Sequence, residues 1–216
     1  MSEKPTFKKL FLFTITLIVL FSIIGYLFWT NELQYVTPTE KPKNYVEVKV
    51  MNKVNLEEAF KSSNDKPFFI HYYNPYCPCS KFNYNYYQEL SLKYQDEFNM
   101  FLVIREMDKD VVDDIKRKIK TKATLIVDEG GKIAEQTGVY STPQAVLLNS
   151  DYTLYFRGNY NRTRYCTVKN FNFAEMAMDS LLAGSQAPEF GFFSNTAYGC
   201  SLSKEREFHQ VLFSMN

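Results

Sequence analysis

From Leu10 to Trp29 the chain runs through LFLFTITLIVLFSIIGYLFW, twenty residues without a charge. At about 1.5 Å per residue a helix of that length spans roughly 30 Å, the thickness of a bilayer's hydrocarbon core. In lipid a single segment meets all its backbone hydrogen bonds only as a helix. The run is apolar on every face, whereas a core helix of a soluble domain shows one apolar stripe. Lys4, Lys8 and Lys9 precede it and Glu32 follows it. Positive charge stays on the cytoplasmic side, so the N-terminus is expected inside and everything after Trp29 across the membrane. A cleaved secretory signal would have a shorter apolar core and a small-x-small site, which Gly25-Tyr26-Leu27-Phe28-Trp29 lacks; an uncleaved anchor is therefore expected.

The 216 residues then divide into a cytoplasmic N-terminus (1–9), a transmembrane anchor (10–29), a linker (30–44), one folded domain (45–203) and a C-terminal tail (204–216). The linker, with two prolines and several charges in ELQYVTPTEKPKN, reads as a spacer. A net charge of +1, with basic residues scattered among acidic ones, offers no electrostatic case for a nucleic-acid partner.

Within the domain, alternation in YVEVKV predicts a short strand over 45–50, and Asn55 with following acids predicts a short helix through about Lys61. The aromatic, branched run PFFIHYY (67–73) has a central-strand composition. Beyond it, apolar groups at Phe82, Tyr86, Leu90 and Tyr94 repeat every four residues, as on one helix face. Strands are predicted over 100–104 and 124–127, with a charged helix over 108–119 between them and a turn or two of helix over 131–139. AVLL (145–148) and YTLYF (152–156) flank Asn149-Ser150-Asp151, a hairpin composition. A last helix is expected from near Asn172, with Glu175 as a capping-box partner and Gly184 as its stop. The order implies an α/β sandwich around a mixed sheet.

Four cysteines, Cys77, Cys79, Cys166 and Cys200, allow three full pairings. Cys77-Pro78-Cys79 falls between a strand and a long helix. A helix N-terminus carries roughly half a positive charge and unpaired N–H groups, and so favours the reactive thiolate. Cys79, by proximity, is the expected resolver. A Cys77–Cys79 disulfide would close a very small ring and is expected to be oxidising. Cys166 and Cys200 read either as a structural bridge pinning the tail or as a second redox pair, one member of which exchanges electrons with Cys77 or Cys79.

The strand ending in aromatics, the cysteine at a helix start, and Tyr140-Ser141-Thr142-Pro143-Gln144-Ala145-Val146 with the hairpin after it together resemble the thioredoxin superfamily, redoxin-type domains especially. The resemblance covers residues 66–184. It implies a thioredoxin-like sandwich with a mixed central sheet behind one N-terminal transmembrane helix, with Cys77 as the nucleophile. Pro143 would be the cis-proline, whose neighbouring backbone holds an extended substrate strand. His71 falls where many thioredoxins carry a buried proton-relaying acid. The family's second cysteine would fall at Ser80, so the site departs from C-x-x-C. Asn74 stands where a peroxiredoxin-like site carries Thr or Ser.

The expected activity is thiol–disulfide exchange on protein thiols or disulfides outside the cytoplasm. The chain would sit as a single-pass protein of the cytoplasmic membrane with a periplasmic or other extracytoplasmic domain. No cofactor and no metal are expected. The rival is a non-catalytic binding, assembly or metal-handling module, with Cys77, Cys79 and His71 as soft ligands. Arg157, Arg162 and Arg164 form a candidate anion-binding cluster, and Asn161-Arg162-Thr163 matches a glycosylation sequon. His209 lies in the tail.

Overall fold

The computed structural model describes residues 7–56, 58–60 and 64–202. Lys4, Glu57, Lys61 and His209, and with them part of the short helix and all of residues 204–216, lie outside the described residues. The chain divides into two units, residues 1–37 and 38–216.

The first unit is helix α1, Phe7–Asn31. Its segment Phe7–Thr30, with mean hydropathy 2.5, is long and apolar enough to cross a membrane and fits a single-pass anchor. The threonine and serine hydroxyls in it find partners on the helix itself. Thr14 and Thr16 donate to the carbonyls of Leu10 and Leu12 at 3.0 Å, and Ser22 donates to that of Ile18 at 2.8 Å. Hydroxyls satisfied in this way need no water.

The second unit is a thioredoxin-like α/β sandwich. Its elements are β1 (Phe68–Tyr73), α2 (Pro78–Tyr94), β2 (Asn99–Arg105), α3 (Lys109–Lys118), β3 (Thr124–Asp128), α4 (Lys132–Thr137), β4 (Ser141–Thr142), β5 (Gln144–Leu148), β6 (Leu154–Gly158), α5 (Phe173–Leu182), α6 (Phe192–Asn195) and β7 (Cys200–Ser201). Five strands form one mixed sheet in the order β3-β2-β1-β5-β6. The β1–β2 and β2–β3 pairs are parallel, while β5 runs antiparallel to both β1 and β6.

Both faces of this sheet are covered, so its central strands are apolar at nearly every position rather than alternating with polar residues. Phe69, Leu102 and Leu147 enter one core with Tyr87, Leu90 and Tyr94 of α2 and Ala174, Ala177 and Met178 of α5. Phe68, Ile70, Tyr72, Val103 and Val146 enter the other with Ile133 and Ala134 of α4. The inner face of α2 is made by Cys79, Asn83, Tyr87, Leu90 and Tyr94. Phe82, expected on it, is exposed and packs edge-on against Tyr165.

The strand expected over 45–50 is absent. The partner edge there is that of β6, and it is met a few residues later: Met51 N–H donates to the Leu154 carbonyl at 2.7 Å and Leu154 N–H to that of Asn52 at 2.9 Å. Residues 38 and 39 join the far end of the domain, since Thr39 N–H donates to the Ala197 carbonyl at 2.8 Å.

At the end of β3, Asp128 is 1 % exposed, and its two oxygens accept the Ile133 and Ala134 N–H groups at 2.8 and 3.0 Å. These are orphan donors of the first turn of α4, which a short helix cannot satisfy itself. Asp128→Ala is therefore expected to cost about 1–3 kcal/mol of stability, and Asp128→Asn less, since one acceptor remains. Urea unfolding of the two variants checks this, and equal losses would contradict it.

Candidate functional site

Three pieces of chain meet at the N-terminus of α2. Cys77 is the N-cap, with extended backbone (φ −81°, ψ 119°), and Pro78 opens the helix. Proline is well placed there because its missing N–H would have had no partner and its φ is already helical. The approach from β1 is fixed by Asn74. Its Oδ1 accepts the Tyr76 N–H at 2.9 Å, and its N–H donates to Ser80 Oγ at 3.3 Å. Ser80 thus fastens the loop.

The second piece is β4. The Thr142–Pro143 peptide bond is cis, and the Thr142 carbonyl oxygen lies 3.4 Å from Cys77 Sγ. The third piece is β7, which pairs antiparallel with β4, Ser141 opposite Ser201 and Thr142 opposite Cys200. Leu202 N–H extends the ladder to the Tyr140 carbonyl at 2.9 Å. Cys200 is thereby delivered to Cys77, and the two form a disulfide with Cα atoms 5.9 Å apart, within the usual range.

This pairing corrects the expected Cys77–Cys79 bond and the expected Cys166–Cys200 bridge. Residues two apart at a helix start face different ways. Cys77, in extended backbone, turns toward β4, while Cys79 turns into the core and is 2 % exposed. Neither Cys79 nor Cys166 is in a disulfide. Burial pushes the Cys166 thiol up to about 11, only partly offset by the Asn83 amide that donates to its sulfur at 3.1 Å. A thiol in that state is a poor nucleophile at neutral pH.

His71 is fully buried in β1. Its Nδ1 and the Tyr160 hydroxyl share a hydrogen bond of 2.6 Å, whose direction follows the imidazole tautomer. The ring stacks on Tyr87 with centroids 4.1 Å apart, and Nε2 is buried without a hydrogen-bond partner. Burial lowers its pKa from 6.5 to about 3, so it is neutral at physiological pH. Among the described residues no three of His, Cys, Asp or Glu are gathered as a metal-ligand set.

The arginine cluster is dispersed. Arg157 donates to the Val48 and Thr137 carbonyls at 2.9 and 3.1 Å. Arg162 lies over Phe171 and Phe193, and Arg164 over Phe82 and Tyr165. The sequon's Asn161 is buried. Its amide nitrogen donates to the Val168 carbonyl at 2.8 Å and to Asn172 Oδ1 at 2.6 Å, which leaves no room for a glycan in the folded state. The sequence left exchange of Cys166 or Cys200 with Cys77 or Cys79 as an alternative without choosing Cys200 for Cys77, and it missed Tyr160 and Tyr87 as the partners of His71. The Gly199-Cys200-Ser201 run, short and bounded by a glycine, was the available hint for the first.

Residues 47–202 match the family described as Domain of unknown function (DUF6436). No curated protein matches the chain. Among solved structures, the fold is similar to that of an uncharacterized conserved protein from Geobacillus kaustophilus, at 17% identity over 76% of this chain and 97% of that one, with a TM-score of 0.58. A hypothetical protein from Sinorhizobium meliloti is similar at 14% identity, over 73% and 95%, also with a TM-score of 0.58. The exposed lipoprotein thioredoxin Etrx1 of Streptococcus pneumoniae gives 16% identity over 52% and 86%, with a TM-score of 0.41. At such identities the likeness is one of fold.

Proposed function

We propose that this chain, which belongs to the DUF6436 family, is a membrane-anchored thiol–disulfide oxidoreductase acting on protein thiols or disulfides outside the cytoplasm. The observation that carries the reading is the Cys77–Cys200 disulfide at the N-terminus of a seventeen-residue helix, beside the carbonyl that precedes Pro143. The helix end favours a thiolate at Cys77 once the bond is open. Cys77 is the attacking thiol and Cys200 its resolver, the role earlier assigned to Cys79. Pro143 and the β4 backbone guide the client strand. His71 serves as a neutral, buried packing partner of Tyr160 more readily than as a proton relay, because its ring is sealed from solvent.

In the reductive direction, the Cys77 thiolate attacks one sulfur of a client disulfide. A mixed disulfide forms, and the other client sulfur leaves as a thiolate that takes up a proton. The Cys200 thiolate then attacks Cys77 Sγ and releases the second client thiol. The client gains two electrons and two protons, and the protein's dithiol becomes the Cys77–Cys200 disulfide. Run backwards, the same steps oxidise a client dithiol. The apolar α1 supports placement in the cytoplasmic membrane, and the lysines before it support an N-terminus inside with the domain outside.

A second reading is favoured by the burial of Cys77, which is 1 % exposed. On that reading the domain is a binding or assembly module and the bond only fastens the tail. Trapping separates the two. A full-length Cys200→Ser chain, left without its resolver, is expected to accumulate mixed disulfides with membrane-facing proteins, identified by mass spectrometry at Cys77. They should vanish in Cys77→Ser/Cys200→Ser and persist when Cys79→Ala is added. No adducts in Cys200→Ser would favour the binding module.

A further inference from the structure

With the tail segment 197–202 in place, Cys77 and the edge beside it are covered. Ser141 and Thr142 are 0 % exposed and Cys77 is 1 % exposed. Any sulfur that is to bond Cys77 from this side must arrive on an extended segment along residues 140–142, where the chain's own residues 200–202 lie. The tail shows what such a segment must satisfy. Its backbone pairs across from Ser141 and Thr142, its cysteine stands opposite Thr142, and Gly199 precedes that cysteine. Gly199 has φ +126°, outside the range of ordinary L-residues, and a Cβ built there would overlap the Thr142 carbonyl oxygen. That oxygen is a backbone atom rather than the far end of a flexible side chain, and so cannot give way cheaply.

We infer that residues 197–202 are a built-in copy of the client: the groove along residues 140–142 takes an extended protein segment in which glycine immediately precedes the reacting cysteine. The inference rests on the exchange reading and deepens it by naming what is exchanged. Recognition runs through backbone and through the lack of a side chain at one position, so residues elsewhere in the client are free to vary. Tail and client compete for one groove, so a client enters it only as residues 200–202 leave it.

The test uses the full-length Cys200→Ser chain in lipid nanodiscs and three hexapeptides. These are Ala-Tyr-Gly-Cys-Ser-Leu, the same peptide with L-alanine for glycine, and the same with D-alanine, each activated as a mixed disulfide with thionitrobenzoate. The Cys77 thiolate attacks the peptide sulfur, a Cys77–peptide disulfide forms, and thionitrobenzoate leaves as a coloured thiolate. The remaining tail competes equally with every peptide and does not alter the ratio of rates. Cys77→Ser/Cys200→Ser gives the blank. Glycine and D-alanine peptides are expected to react faster than the L-alanine peptide by roughly tenfold or more, the scale of a backbone overlap, because D-alanine accepts positive φ and points its methyl away from the oxygen. Equal rates for all three, with the simple aromatic disulfide dithiobis(nitrobenzoate) still reacting at Cys77, would overturn this inference and leave exchange standing. A Cys77 inert even to that reagent would overturn both.

Discussion

Removing the Cys77–Cys200 bond in a Cys77→Ser/Cys200→Ser chain is expected to lower the free energy of unfolding by about 3–5 kcal/mol, the chain-entropy value for a loop of this size. The bond closes a span of 123 residues that contains every strand of the main sheet except β1. In the unfolded chain that constraint removes conformations, and its loss returns them. The folded state loses comparatively little, because the tail keeps other attachments. Ala197 and Leu202 are buried, Leu202 N–H donates to Tyr140, and the Arg105 guanidinium donates to the Leu202 carbonyl. Denaturant unfolding of the full chain in mild detergent, oxidised against double variant, measures the difference. A loss under about 1 kcal/mol would mean that the unfolded chain is already restricted in other ways.

The second large effect is acid lability through His71. Its pKa is about 3 in the folded chain and 6.5 in a solvated one. The unfolded state therefore binds the proton first, and stability must fall as pH drops. The contribution of neutral His71 is complete above about pH 6.5 and is lost progressively toward pH 3. The loss is about 2 kcal/mol by pH 5 and on the order of 4 kcal/mol by pH 3. The groups facing the ring, Tyr160 and Tyr87, are themselves held neutral by burial and supply no counter-charge. His71→Gln will have its own constant cost from disturbed packing, so the quantity to compare is the change of urea midpoint between pH 7 and pH 5. The native chain should lose markedly more than the variant. Parallel losses would show that the acid sensitivity lies in carboxylates common to both.

These two effects mark where the sequence was readable. The sheet was readable because β1, β2 and β5 are buried on both faces, which writes near-continuous apolar runs into PFFIHYY, MFLVI and AVLL. The hairpin was readable from its turn residues, and α5 from its small-residue face and the glycine after it. The 45–50 segment misled because alternation reports a half-covered strand only where a partner edge is at hand, and β6 is met at Leu154 by residues 51 and 52 instead. Phe82 misled because a spacing of four drifts around a real helix of 3.6 residues per turn. The inner face of α2 follows Cys79, Asn83, Tyr87, Leu90 and Tyr94.

Cys77 at a helix start and Pro143 after a short strand stand in local sequence, since each depends on its immediate neighbours. The partner of Cys77 does not. Proximity along the chain nominated Cys79, yet a helix turns residues two apart to different sides. The sulfur that reaches Cys77 comes from 123 residues away, carried there by a two-residue ladder against β4. The long apolar helix, the layered fold and the place of Cys77 at a helix start were thus determined by the sequence alone, because each is set by composition or by contacts within a few residues. Which cysteine answers Cys77, and that the chain's own tail fills the groove beside it, was decided only by the tertiary structure, because backbone pairing between distant segments leaves no periodicity in either.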